Sequence, residues 1–300
     1  MRSSKLILLI LLLFSLNFLW SEKVVYHDDL VEVIADKKDE YLAQQIMEHL
    51  PSLIGRFQME IGVYPKFVAK VYLSHNQQDF QNIVATFGGI TEHSNAFYSR
   101  RDSVIYIKSF VEIGTTESFY QILHHEYIHA FIDYHLHDVP LWFHEGMAVH
   151  FSRQFSTNMV YSLGMDYLLR KTPHISTMER NYPTDQASLA TFYAKSAMAV
   201  KYLHEKDKPG LSLMFRGDKS FSKAFNRSFK KSIEIFYYEF EQDFQKKIIL
   251  NAVYVVGTML GLIFPVIFIW GWIRRATIKK KRDKSTPEDD DSDDDIVITL

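Results

Sequence analysis

Apolar and polar positions divide the 300-residue chain into three regimes. The first is a basic start, Met1 to Lys5, followed by an apolar run from Leu6 to Trp20 that only Ser15 and Asn17 interrupt. A short basic start before roughly fifteen apolar residues is the form of a secretory signal, and the run is short for a span of about 20 residues. The small-x-small cleavage pattern is missing, because Phe18-Leu-Trp-Ser21 offers one small residue. Residues 1–21 are therefore expected to be a signal peptide or an uncleaved signal anchor. The second regime, residues 22–247, mixes periods. Leu30 to Ala35 alternates as a strand does, and Lys66 to Leu73 and Ser103 to Lys108 read as further strands. Asp39 to Ile61 carries apolar residues at helical spacing, and Phe119 to Tyr134 contains no Gly or Pro to break a helix. A turn at His137 to Pro140 precedes helical stretches at Leu141 to Gln154, Ser188 to Glu205 and Phe236 to Lys247. A small sheet first and helices afterwards is an α+β pattern.

The third regime is apolar from Ile248 to Ile273, with Asn251 its only strongly polar member. At about 1.5 Å per residue this stretch crosses a hydrocarbon core of about 30 Å. Trp270 and Trp272 stand at its end, where indole rings prefer the headgroup layer, and Pro265 is tolerated in a lipid-embedded helix.

Charge orients this span. Arg274, Arg275, Lys279, Lys280, Lys281, Arg282 and Lys284 follow it, against Lys246 and Lys247 before it. The positive-inside rule predicts a single-pass protein of the cell membrane. Its tail, 274–300, is then cytoplasmic, and everything before Ile248 is extracytoplasmic, apart from a retained N-terminal anchor. The tail ends in Glu288-Asp-Asp-Asp-Ser-Asp-Asp-Asp295, too charged and too poor in aromatics to fold alone. A net charge of −2 gives no reason to expect nucleic acid as a partner. Cysteine is absent, which excludes disulfides, thiol catalysis and every cysteine-ligated metal site. Any metal must be held by His, Asp or Glu.

The segment Leu123-His-His-Glu-Tyr-Ile-His-Ala130 carries the chemistry. His125 and His129 are four residues apart on a predicted helix, so both imidazoles leave one face and can meet one ion. Glu126 lies beside them, placed to take a proton from a water on that ion, in an H-E-x-x-H arrangement. Zn2+ lowers the pKa of its water from about 15.7 to about 7. Catalytic zinc needs a third protein ligand and an open position, and two candidates present themselves. His135 has the metzincin spacing, but Ile132 stands where that pattern has Gly, and a β-branched residue resists the required positive φ. Glu145 lies sixteen residues after His129, beyond Pro140, a distance that suits a helix, a reversal and a second helix. Its neighbours Leu141, Trp142, Phe143, Met147 and Val149 are apolar, so a carboxylate among them needs a partner. Gly146 and Ala148 are small enough to let this second helix pack close to the first. Asp133 is a candidate support for a ligand histidine, and His124, His144 and His150 crowd the motif.

His125-Glu-Tyr-Ile-His129 followed by Pro140-Leu-Trp-Phe-His-Glu145-Gly-Met-Ala148 resembles the gluzincins, most of all the peptidase MA-like families. There a W-x-x-E-G-x-A segment supplies the third zinc ligand. Asn95 to Ser99 with Ser103 to Lys108 is similar to the strand pair before the zinc helix. Phe192 to Leu203 and Ser220 to Phe225 are similar to the helices after it. The resemblance covers about residues 60 to 245 and implies a zincin-like domain with its cleft between a small sheet and a helical half. It implies His125, His129 and Glu145 as zinc ligands and Glu126 as general base. It further implies Ser103–Lys108 as the edge strand for an extended peptide and Tyr193 as the candidate oxyanion donor. The expected activity is peptide-bond hydrolysis on a peptide or protein substrate by a membrane-anchored zinc metallopeptidase. The alternative is a catalytically inactive peptide-binding or assembly protein on the same fold. Residues 23–40 are a candidate gating propeptide.

Overall fold

The computed structural model describes residues 22–87 and 94–283. The proposed signal segment 1–21 and the acidic end of the tail lie outside the described residues. The described chain forms a mixed α+β protein with one five-stranded sheet.

The strands are β1 (Lys23–His27), β2 (Val31–Asp36), β3 (Ala69–Leu73), β4 (Ala96–Ser99) and β5 (Val104–Ile107), in the order β1-β2-β3-β5-β4. The two outer pairs, β1–β2 and β4–β5, are antiparallel; β2–β3 and β3–β5 are parallel. Within the candidate gate, residues 23–40, β1 and β2 are strands of the sheet itself. One expectation is corrected: β5 lies inside the sheet, and β4 is one of its two edges. Alternation identifies a strand but not its neighbours. The chain turns back at Arg100 to Ser103, with Ser103 at φ 60°, and β5 takes the place beside β3.

Helix α1 (Glu40–Ile61) buries Ala43, Ile46, Leu50, Ile54, Phe57 and Ile61, one stripe at three- and four-residue spacing. It ends at Gly62, whose φ of 72° lets the amide turn back to Gln58. After α2 (Gln77–Phe87) and the β4–β5 hairpin comes α3 (Thr116–His135), where Thr115 caps the start by accepting from the Ser118 amide. The inner sheet face, with Val31, Val33, Val71, Ile105 and Ile107, joins α1 and α3 in one continuous core. Each large apolar side chain taken out of water there contributes about 1.5–3 kcal/mol.

Five residues separate α3 from α4 (Leu141–Phe151). Asp138 adopts φ 57°, and His137 bridges to Ser220 before Pro140 opens the new helix. Nearly every α4 residue is buried, as expected for a helix apolar all round. Helices α5 (Thr157–Leu168), α6 (Gln186–Lys206), α7 (Lys208–Met214) and α8 (Phe221–Phe229) complete the helical half. The close approach expected between α4 and α3 lies elsewhere. Gly146 packs on α6, where an added Cβ would stand 2.7 Å from Val200 Cγ2. Glycine signals that something comes close; only the packing says what.

Helix α9 runs from Ile233 to Asp283, and the chain divides into two compact units after Ile248. In the second unit, Leu260–Lys279 is long and apolar enough to cross a membrane. This overlaps the expected 248–273 span, and residues 274–283 of the expected tail are helical. Leu262, Phe264, Val266, Phe268, Trp270 and Trp272 are all exposed. A contiguous apolar surface of this kind is a membrane or protein contact rather than a soluble face.

Candidate functional site

Helix α3 turns His125 and His129 to one side, with their Nε2 atoms 3.0 Å apart. Glu145, on α4, brings Oε2 to 3.5 Å from His125 Nε2 and 3.7 Å from His129 Nε2. These three residues form a group able to hold a metal ion. Glu145 is 4% exposed, and its Oε2 is a buried oxygen with no hydrogen bond among the described residues. Leaving such an oxygen unpaired costs several kcal/mol unless something cationic meets it.

Each imidazole has a partner on the nitrogen that faces away from this group. His125 Nδ1 lies 2.8 Å from Gln154 Oε1, which can only accept, so Nδ1 carries a hydrogen. His129 Nδ1 lies 2.6 Å from His144 Nδ1, and His144 Nε2 lies 2.8 Å from Asp133 Oδ1. Two imidazole Nε2 atoms and a carboxylate oxygen converge on one point. That donor set suits a borderline-soft dication such as Zn2+.

Glu126 is 8% exposed and accepts the Tyr98 amide of β4 on Oε2 at 2.8 Å. Burial, opposed by His125 and reinforced by Glu145, pushes its carboxyl up to about 7. Burial also disfavours the charged form of Glu145, but the His129 and His125 imidazoles and the Tyr182 hydroxyl outweigh it and hold that carboxyl down to about 2. The two carboxyls are thereby driven in opposite directions, Glu126 upward and Glu145 downward. Burial opposes the charged form of His125, which the Glu145 and Glu126 carboxylates raise regardless; burial holds His129 well below the ordinary histidine value.

A cavity of about 390 Å³ opens over the group, lined by Ala96, Phe97 and Tyr98 of β4 and by Tyr182, Pro183 and Tyr193. Tyr193 is thus in the cleft with the expected ligands, its hydroxyl raised by burial and by the Glu145 and Glu126 charges. His135 is not with them. Helix α3 passes Ile132 without a turn, and the His135 ring packs on Phe131 and Phe215. His124 is buried on another face, its ring 6.0 Å from that of Phe57, and burial lowers it to about 4. His150 pairs with His204 at 3.1 Å.

Three residues near the group were not singled out as site residues in the sequence. Gln154 follows α4 by three residues, and its contact with His125 depends on how the chain leaves that helix. Tyr182 donates to Glu145 Oε1 from the segment between α5 and α6. Arg100, at the end of β4, donates to both oxygens of Asp133. None of the three carries a local motif. No protein-family model and no curated protein matches this chain.

Proposed function

We propose that this chain is a membrane-anchored zinc metallopeptidase with a zincin-like domain of the gluzincin kind. The observation that carries the reading is the convergence of His125 Nε2, His129 Nε2 and the buried Oε2 of Glu145. A Zn2+ ion held by these three residues would act as a Lewis acid, acidifying a water molecule and polarising the scissile carbonyl. Glu126 serves as general base: a carboxyl pushed up to about 7 can both accept a proton and return it to the leaving amine. The Tyr98 amide fixes Oε2 of Glu126, which leaves the other oxygen to carry the proton. Tyr193 stays protonated in the cleft and is the candidate donor to the oxyanion.

The substrate is an extended peptide laid along β4, the sheet edge that lines the cleft. The apolar helix anchors the protein in the cell membrane once, with the catalytic domain extracytoplasmic and the basic tail cytoplasmic. The test is metal content and cleavage of an unbiased peptide library by the full chain in detergent, beside Glu126→Gln. The variant should keep its zinc and lose at least about 10²-fold in cleavage. A zinc-loaded wild type that binds peptides and cleaves none would overturn the enzyme reading in favour of a peptide-binding module.

A further inference from the structure

The two histidines of the metal group are supported differently. His125 meets a neutral amide, Gln154. His129 meets a second imidazole that itself leads to an ion pair. From the inside outward the chain runs His129 Nδ1 to His144 Nδ1 at 2.6 Å, His144 Nε2 to Asp133 Oδ1 at 2.8 Å, and Asp133 Oδ1 to Arg100 Nη2 at 2.6 Å. His144 is 8% exposed, and the Arg100 side chain is 65% exposed.

We infer that Arg100, Asp133 and His144 form a relay of positioning residues that locks His129 as the Nδ1–H tautomer, with its Nε2 lone pair committed to a metal. The polarity of the chain follows from its outer end. Arg100 can only donate and Asp133 can only accept, so His144 gives its Nε2 hydrogen to Asp133. With that hydrogen on Nε2, the Nδ1–H tautomer of His144 is excluded, and His129 supplies the hydrogen between the two Nδ1 atoms. The reverse arrangement would have His144 Nε2 accept from Arg100 Nη2, which lies 3.1 Å away. It would also press the Nε2 lone pair against Asp133 Oδ1 at 2.8 Å. The charge-assisted bond wins. A partner of this kind fixes ring orientation and raises the basicity of the ligating nitrogen; loss of one typically costs about 10–100-fold in metal affinity.

The metal arm of this inference rests on the metallopeptidase reading; the tautomer arm stands without it. The full chain, labelled with 15N-histidine and kept metal-free in detergent at pH 8, is to be observed by long-range imidazole NMR. His129 is expected as Nδ1–H and His144 as Nε2–H, and Asp133→Asn should return His129 toward the Nε2–H form that water favours. Zinc titration of the same preparations should show about 10–100-fold weaker binding for Asp133→Asn and His144→Ala. His144→Gln, which can still accept from His129 through its amide oxygen, should recover most of that loss and become insensitive to Asp133→Asn. This non-additivity is one that mere damage to the fold would not produce. An Nε2–H His129 in the wild type, or one unmoved by Asp133→Asn, overturns the relay. The expected tautomers in a chain that binds no zinc would uphold the relay and overturn the metallopeptidase reading instead.

Discussion

Gly146 lies so close to Ser196 that a methyl group on its α-carbon would stand 2.3 Å from the Ser196 carbonyl oxygen. That oxygen belongs to the backbone of α6, so it cannot rotate aside as a side chain would. The residue before this contact is Glu145, and the helix presenting it is therefore seated by the absence of a side chain one position later.

Gly146→Ala should accordingly destabilise the protein by about 1–3 kcal/mol, the usual cost of overpacking, and also displace Glu145. Denaturant unfolding of the full chain in detergent would show the first effect and zinc titration the second. Unchanged values in both would mean that α4 and α6 lie further apart than described.

Glu145→Ala should lose most of the bound zinc, while His135→Ala, which removes a ring packed against Phe131 and Phe215, should keep it. Metal analysis of the two purified variants decides this. Retention of full stoichiometry in Glu145→Ala would remove Glu145 from the ligand set.

Lys195 and Glu241 form a buried ion pair at 2.6 Å, with Lys195 also donating to the Pro173 carbonyl and Glu241 accepting the Ile175 amide. Lys195→Met leaves Glu241 buried without its cation and should cost about 3–5 kcal/mol. Adding Glu241→Leu should restore only part of this, because the Pro173 and Ile175 groups remain unpaired. Denaturation midpoints of the single and double variants test the point.

His150 gives a pH dependence of stability. Burial, with His204 and Lys201 adding to it, holds His150 down to about 4, against an ordinary value of 6.5. Between those values the unfolded chain binds the proton and the folded chain does not, so stability rises with pH across the window. The contribution is fully present above about 6.5 and is lost as the medium falls toward pH 4, with a size of about 1–3 kcal/mol. His150→Gln should flatten that part of the stability curve between pH 7 and 4. An unaltered slope would place His150 in contact with water.

Protease added to intact cells or sealed right-side-out vesicles should digest the chain before Ile248 and spare the tail after Ile273. Digestion of the tail alone would reverse the orientation inferred from the seven basic residues that follow the span.

The sequence determined by itself those features whose physics is local. Spacing of four on a helix brings His125 and His129 to one face whatever surrounds them, so the pair was legible, as were α1 and α3 from their apolar periodicity. An apolar stretch longer than a bilayer core is thick is equally a property of composition. Tertiary structure decided everything that depends on which elements become neighbours. Alternation made Ser103 to Lys108 a strand, but the pairing of β5 with β3 put it inside the sheet and made β4 the wall of the cleft. Gly146 announced a close contact without naming α6 as the partner. Asp133 stood as a candidate support four residues beyond His129, yet it reaches that ring only through His144, with Arg100 behind it. Hydrogen bonds reach only about 3 Å, so which polar groups share them is settled when β4, α3 and α4 come together. No spacing along the chain encodes that meeting.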